Sequence, residues 1–444
     1  MSFAKDFAWG AATASFQIEG GYDTRCRCIW DMMCEKAGAV AFGHNGKIAC
    51  DHYHRFREDV ALMKQLGIKA YRFSLSWPRL IPDGIGKINE DGVRFYNELI
   101  DELIRNGIEP YITLFHWDYP LELYKKGGWL NPESPEWFAQ YTKTVVDLFS
   151  DRVKYWFTLN ETQCFISVGH ANGEHAPGLK MSEYEVMTCA HNAHLAHGRA
   201  VQVIRANAKR TPFIGFAPVG DVKVPATSSK ADIKAAYNEM FRPLNPHYWG
   251  NAIWVEPVMT GRYPDEIREY FENNHIRVTD EHMKIIGEPI DFLGMNIYSG
   301  GRVSADGKPV APKVGFDQTD IGWEVVPESL YWGPKFYWER YKKPIYITEN
   351  GMANVDFVSG DGKVHDPQRI EFLRRYLLQL RKASEEGADI RGYFQWSLMD
   401  NFEWAEGYQK RFGIVYVDYE TLERIPKDSF EWYSKIIAGN GDNL

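Results

Sequence analysis

Eight short β-rich runs recur along the chain, and helical patterns separate them. The runs are FAWGAATA (7–14), KAYRFSL (69–75), EPYITLF (109–115), VKYWFTL (153–159), FIGFAPV (213–219), IDFLGMN (290–296), PIYITE (344–349) and GYFQWS (392–397). Between the second and third, Asn89 is placed to cap a helix whose Val93, Tyr96, Leu99, Ile100, Leu103 and Ile104 share one face, ending near Gly107. Between the last two, Asp366-Pro367 opens a helix with Ile370, Leu373, Leu377 and Leu380 inward and Gly387 at its exit. Strands alternating with helices pair in parallel, because a parallel crossover needs a long connection. Eight such units predict a single (β/α)8 TIM barrel over residues 1–444. The long pieces around 220–265 and 299–330 are expected to be elaborated βα loops.

In such barrels chemistry gathers where the strands end. The run ends here carry an unusual set of groups. Gln17 follows the first, Arg72 lies in the second, and Phe115-His116-Trp117 ends the third. Asn160-Glu161 ends the fourth, Asn296 and Tyr298 end the sixth, and Glu349-Asn350 ends the seventh. Trp396 lies in the eighth, with Glu403-Trp404 just beyond it; only the fifth, ending Ala217-Pro218-Val219, is bare. An ionised glutamate at the end of an apolar strand is costly to bury unless something pairs with it or uses it. Glu161 and Glu349 would face each other across the mouth, and paired carboxyls flanking one bond are what glycoside hydrolysis requires. Taken singly, each is as readily an ion-paired strand-end residue, and His116 or Tyr298 a core residue.

Composition narrows the partners. The net charge is −9, which argues against a nucleic-acid surface. No apolar stretch is long enough for a membrane helix. The start, MSFAKDFAWG, lacks the basic and apolar regions of a secretory signal. The six cysteines are therefore expected to be reduced thiols, and the protein cytoplasmic. Aromatic residues reach 15%, which suits a large core and also a cleft where flat rings stack on sugars. His191, His194 and His197, Cys50, His52 and His54, and Cys26, Cys28 and Cys34 lack a completing ligand set, so no metal and no cofactor is expected. Nothing in the sequence speaks to self-association.

The segments FAWGAATASFQIEG (7–20), ACDHYHRFREDV (49–60), YRFSLSWPRL (71–80), FHWDYP (115–120), TLNE (158–161), ITENG (347–351) and WSLMDNFEWAEGY (396–408) resemble, in order, the signatures of the family 1 glycoside hydrolases, in particular their β-glucosidases. The resemblance implies an acid/base at Glu161 and a nucleophile at Glu349 in a retaining double displacement. It implies that Asn160 binds the sugar 2-hydroxyl, and that Arg72, Tyr298 and Asn296 hold Glu349. Gln17, His116, Glu403 and Trp404 would bind the other hydroxyls, with Tyr298 also at the sugar and Trp396 under its ring. Trp323 would line the aglycone side, with His175 and Cys164 as further candidates. The substrate would be a small β-glucoside or cello-oligosaccharide, with β-galactosides or β-fucosides also accepted. A 6-phospho-β-glucosidase is the nearest alternative, set against the negative charge expected at Glu403. A non-catalytic sugar-binding protein is a more distant one. The chain departs from the family pattern at the loop 22–28, at Thr162, where many members carry proline, and at Ile297, where tyrosine is common.

Overall fold

The computed structural model describes residues 3–243 and 248–444. All eight runs form strands: β1 (Ala8–Ala12), β2 (Ala70–Ser74), β3 (Glu109–Phe115), β4 (Tyr155–Asn160), β5 (Phe213–Ala217), β6 (Phe292–Asn296), β7 (Ile345–Asn350) and β8 (Ile390–Trp396). They pair in parallel in chain order, and β1 closes the cylinder against β8. The expected (β/α)8 barrel is therefore the observed fold.

Two demands shape the strands. Large rings fill the cylinder, among them Tyr111, Phe157, Phe292, Tyr346 and Phe394. Glycines face them: a Cβ on Gly215 would lie 2.2 Å from the Phe292 ring. Alternating large and small residues is how such an interior packs as a core. These rings serve packing inside the cylinder, below the mouth. The second demand is at the mouth. Register slips fall between Phe157 and Asn160, between Met295 and Asn296, and between Tyr393 and Gln395. Such irregularities re-aim side chains, and here they sit where β4, β6 and β8 deliver polar groups.

The helix after β2 spans Glu90–Arg105, and the Asn89 side chain accepts from the Asp91 N–H. Val93, Tyr96, Leu99, Ile100 and Leu103 are buried as expected, but Ile104 is 42% exposed. At ~100° per residue it lies about 20° beyond Val93, itself the edge of the stripe. The helix Pro367–Glu385 buries Leu373, Leu377 and Leu380, while Ile370 is half-buried.

The two long pieces hold more structure than loops. Val222–Pro225, just past β5, pairs in parallel with Gly300–Val303, just past β6. Helices Lys230–Met240 and Asn251–Thr260 follow the first of these strands. Residues 244–247 of that piece lie outside the described residues. The small sheet raises one wall above the barrel mouth, between β5 and β6.

Candidate active site

Glu349, the penultimate residue of the apolar strand β7, is buried. Its carboxylate is fully paired. One Arg72 Nη donates to Oε1 at 2.6 Å, and the Tyr298 hydroxyl donates to Oε2 at 2.7 Å. Arg72 comes from β2, across the cylinder, and is buried too. Burial raises the Glu349 pKa; Arg72 first, then the Tyr298 hydrogen bond and the nearby Asn296 amide, oppose that rise. The cation and the phenol work for the ionised form.

Glu161 sits one residue past β4 with φ of +47°, in the left-handed region that a side chain adopts at a cost. Its N–H donates to the Ala217 carbonyl at 2.8 Å, tying that turn to β5. The carboxyl accepts from Asn296 Nδ2 at 2.9 Å, and the Cys164 thiol lies beside it and favours its ionised form. No lysine or arginine among the described residues pairs with it. Burial first, and the charge of Glu349 second, push its pKa up to about 7. Asn296 thus holds the Glu161 carboxyl directly and lies near enough to Glu349 to favour its ionised form. Both acids are raised by burial, yet only Glu349 has an arginine at contact, so the shared proton resides on Glu161.

Asn160 stands between them. Its Oδ1 accepts from Arg72 at 2.5 Å and from Asn296 at 3.1 Å, which orients the amide and aims Nδ2 at His116 Nε2, 3.1 Å away. Nε2 is then the acceptor, and the His116 proton sits on Nδ1, which is buried without a protein partner. Burial, and then Arg72, hold this imidazole neutral, well below its ordinary pKa. Trp117 Nε1 donates to the Asn160 carbonyl at 2.9 Å.

The loop after β8 carries the remaining polar groups. Asp400 anchors it: buried Lys427 reaches Asp400 at 2.7 Å and Asp356 at 2.6 Å, and Arg411 adds a second contact to Asp400 at 2.6 Å. Asn401 and the Phe402 carbonyl accept from Gln17 Nε2 at 3.0 and 2.8 Å, leaving Gln17 Oε1 buried and unpartnered. Glu403 Oε2 is likewise unpartnered. Trp404 (φ +48°) packs against Trp30 and Trp117, with centroids 4.7 and 4.6 Å apart. Trp396 and His116 lie nearly parallel at 5.8 Å. Burial and the charges of Glu349, Glu161 and Glu406 push Glu403 up to about 8. Glu403, close to both acids at the mouth, therefore holds its proton more tightly than an ordinary carboxyl.

A cavity of about 490 Å³ opens onto this set. His116, Glu161, Asn296, Tyr298, Trp323, Glu349, Trp396, Glu403 and Trp404 all line it, together with Cys164 and His175. Arg72, Asn160 and Gln17 stand behind that lining. Trp323 is 38% exposed and packs 5.3 Å from Tyr298 at the outer edge. The sequence named Trp117 only as part of a strand end, and did not point to Phe412, Asp221 or Trp249, which also line the cavity. Only the HW pair at the end of β3 carried a signal for any of them. No lysine or arginine lines the cavity among the described residues.

The histidine and cysteine clusters go elsewhere. His191 bonds Tyr263 and His282, His197 bonds Thr158, and His52 bonds Asp59. All six cysteines are free.

Two buried carboxyls of unequal proton affinity, facing one cavity at a barrel mouth, make the apparatus of a glycoside hydrolase. The Glycosyl hydrolase family 1 profile matches residues 1–442, and the chain belongs to that family. It is 45% identical to Beta-glucosidase A of Thermotoga maritima, over 99% of this chain and 98% of that protein. It is 44% identical to the 1,4-beta-D-glucan glucohydrolase of Thermotoga neapolitana, over 99% of each. The solved structure of the Thermotoga maritima β-glucosidase with glucoimidazole superposes with a TM-score of 0.91, at 44% identity and 99% coverage of both chains.

Proposed function

We propose that this enzyme is a retaining, exo-acting β-glucosidase in which Glu349 is the nucleophile and Glu161 the acid/base. The observation that carries the assignment is the unequal pairing of the two acids: arginine and phenol on one, amide and thiol on the other.

In the first step a Glu349 oxygen attacks the anomeric carbon. The bond to the aglycone oxygen breaks, and the Glu161 proton goes to that oxygen. Glu349 is then a neutral ester, so the charge that raised the Glu161 pKa is gone. Glu161, now ionised, takes a proton from water as the water oxygen attacks the anomeric carbon and Glu349 leaves. Asn160 and His116 Nδ1 are assigned to sugar hydroxyls, as are Gln17 Oε1, Glu403 and Trp404. Trp396 is assigned to the ring face and Trp323 to the aglycone. Arg72, Asn296 and Tyr298 hold the pair of acids.

The substrates are β-glucosides and short cello-oligosaccharides, cut from the non-reducing end, in keeping with the glucan glucohydrolase similarity. β-Galactosides, epimeric at one hydroxyl, and β-fucosides, which in addition lack the 6-hydroxyl, are included. A 6-phosphate is disfavoured because a dianion would enter a cavity lined by acids and, among the described residues, by no lysine or arginine. The chain acts as one catalytic domain. Its six free thiols suit a reducing cytoplasm; no helix is long and apolar enough to cross a membrane among the described residues.

The test is the first sugar released from a nitrophenyl β-glucoside, followed by proton NMR. β-Glucose appearing before mutarotation supports retention, and α-glucose contradicts it. Faster cleavage of the 6-phosphate than of the plain glucoside would overturn the substrate class.

A further inference from the structure

Glu161 is held in a strained backbone position, and the chain turns helical immediately after it, winding as a π-helix over Cys164–Asn172. Many members of the family carry proline at the next position, which would restrict that turn. Here it is Thr162, whose buried Oγ1 has no partner. Thr162 therefore supplies neither a ring nor a hydrogen bond.

Gln163 makes the missing connection. It is fully buried. Its Nε2 donates to the Val219 carbonyl at 3.2 Å, and its Oε1 accepts from the Val219 N–H at 3.3 Å. A side-chain amide thus pairs with both polar groups of one backbone residue. Val219 in turn forms a parallel bridge with Asn296, and the Gly220 N–H donates to the Asn296 carbonyl at 2.8 Å. Asn296 Nδ2 closes the circuit on the Glu161 carboxyl at 2.9 Å. From Gln163 the chain of contacts returns through β5 and β6 to the side chain two residues upstream. The Glu161 N–H, bonded to Ala217, joins the same segment.

We infer that Gln163 is a positioning residue for the acid/base: its amide clamps Val219 and so fixes Glu161 against Asn296 at the distance proton transfer requires. The inference rests on the assignment of Glu161 above. It predicts a defect confined to steps that use Glu161. A misplacement of ~1 Å can cost a reaction about a hundredfold, and general acid help is worth about 10²–10⁴-fold on poor leaving groups.

The experiment compares cellobiose, which needs the acid, with 2,4-dinitrophenyl β-glucoside, which does not. Gln163→Met keeps the shape and removes both hydrogen bonds. It should lower kcat/KM for cellobiose at least tenfold and leave the dinitrophenyl substrate within about threefold. Adding Thr162→Pro should restore part of the cellobiose loss, since the first residue of a helix tolerates proline. Gln163→Glu is the second variant, and carries the test if Gln163→Met does not fold. It keeps an acceptor for Val219 N–H, loses the donor and adds charge beside Glu161. Its basic limb of kcat/KM for cellobiose should move up in pH, with the same leaving-group split. Equal losses on both substrates, or no loss on either, would overturn the positioning role. Glu161→Ala serves as the reference. If it too ignores the leaving group, the acid/base assignment itself falls; if it shows the split and both Gln163 variants do not, only the role of Gln163 falls.

Discussion

Glu349 and Glu161 are the same residue type, buried at the same mouth, one residue from the ends of neighbouring-but-two strands. Their surroundings differ in kind. The β7 side meets a guanidinium at 2.6 Å and a phenol at 2.7 Å. The β4 side meets a neutral amide and a thiol, on a backbone turned left-handed. Charge decides the first site and backbone geometry the second. An arginine within contact fixes a carboxylate as a charge almost regardless of detail. A group that must give and take a proton instead needs its orientation fixed and its electrostatics left adjustable.

The largest effect should come from removing the charged side. Glu349→Gly is expected to lose hydrolysis by roughly 10⁴-fold or more, with azide or formate restoring cleavage as the α-product. If azide instead gave an α-azide with the Glu161 variant, the two roles would be exchanged. Glu161→Ala should be next, at about 10²–10⁴-fold on cellobiose. It should spare the first step with good leaving groups, and azide should then yield the β-product. Tyr298→Phe is smaller. Losing one hydrogen bond to a charged carboxylate costs about 1.5–3 kcal/mol. The lost donor favoured the ionised form, so the Glu349 pKa rises and the acidic limb of kcat/KM moves up in pH. An unmoved limb would mean that Arg72 alone sets that charge.

The smallest effect is also the most specific to the comparison. In the free enzyme Glu161 is pushed up to about 7, in part by the Glu349 charge. Activity should therefore fall as pH rises through that value and Glu161 loses its proton. Trapping Glu349 as a 2-fluoroglucosyl ester removes the charge, and the Glu161 pKa should then drop. Carbon NMR of labelled glutamate in the two states reads the shift, and an unchanged value would leave burial as the sole cause.

The contrast also explains what the chain's sequence disclosed. All eight strands were legible, because each is a short apolar run between helical patterns. Arg72, Glu349 and Glu161 were legible because charge at a strand end is unusual. Geometry was not. Nothing in TLNET announces a positive φ at Glu161, and Asn296 read as a support for Glu349 although its closest carboxyl is Glu161. Glu403 read simply as an acid; the burial that raises its pKa, and the Glu349 and Glu161 charges that add to it, are set by residues far away in sequence. The wall made by Val222–Pro225 and Gly300–Val303 was hidden because four-residue strands carry too little pattern to stand out.

The most direct test of the unequal pair is to trap the enzyme with a 2-deoxy-2-fluoro β-glucoside, digest it and sequence the labelled peptide. The account predicts a sugar ester on Glu349, within the segment YITENG. A label on Glu161, or an enzyme that turns the reagent over without ever carrying it, would contradict the account.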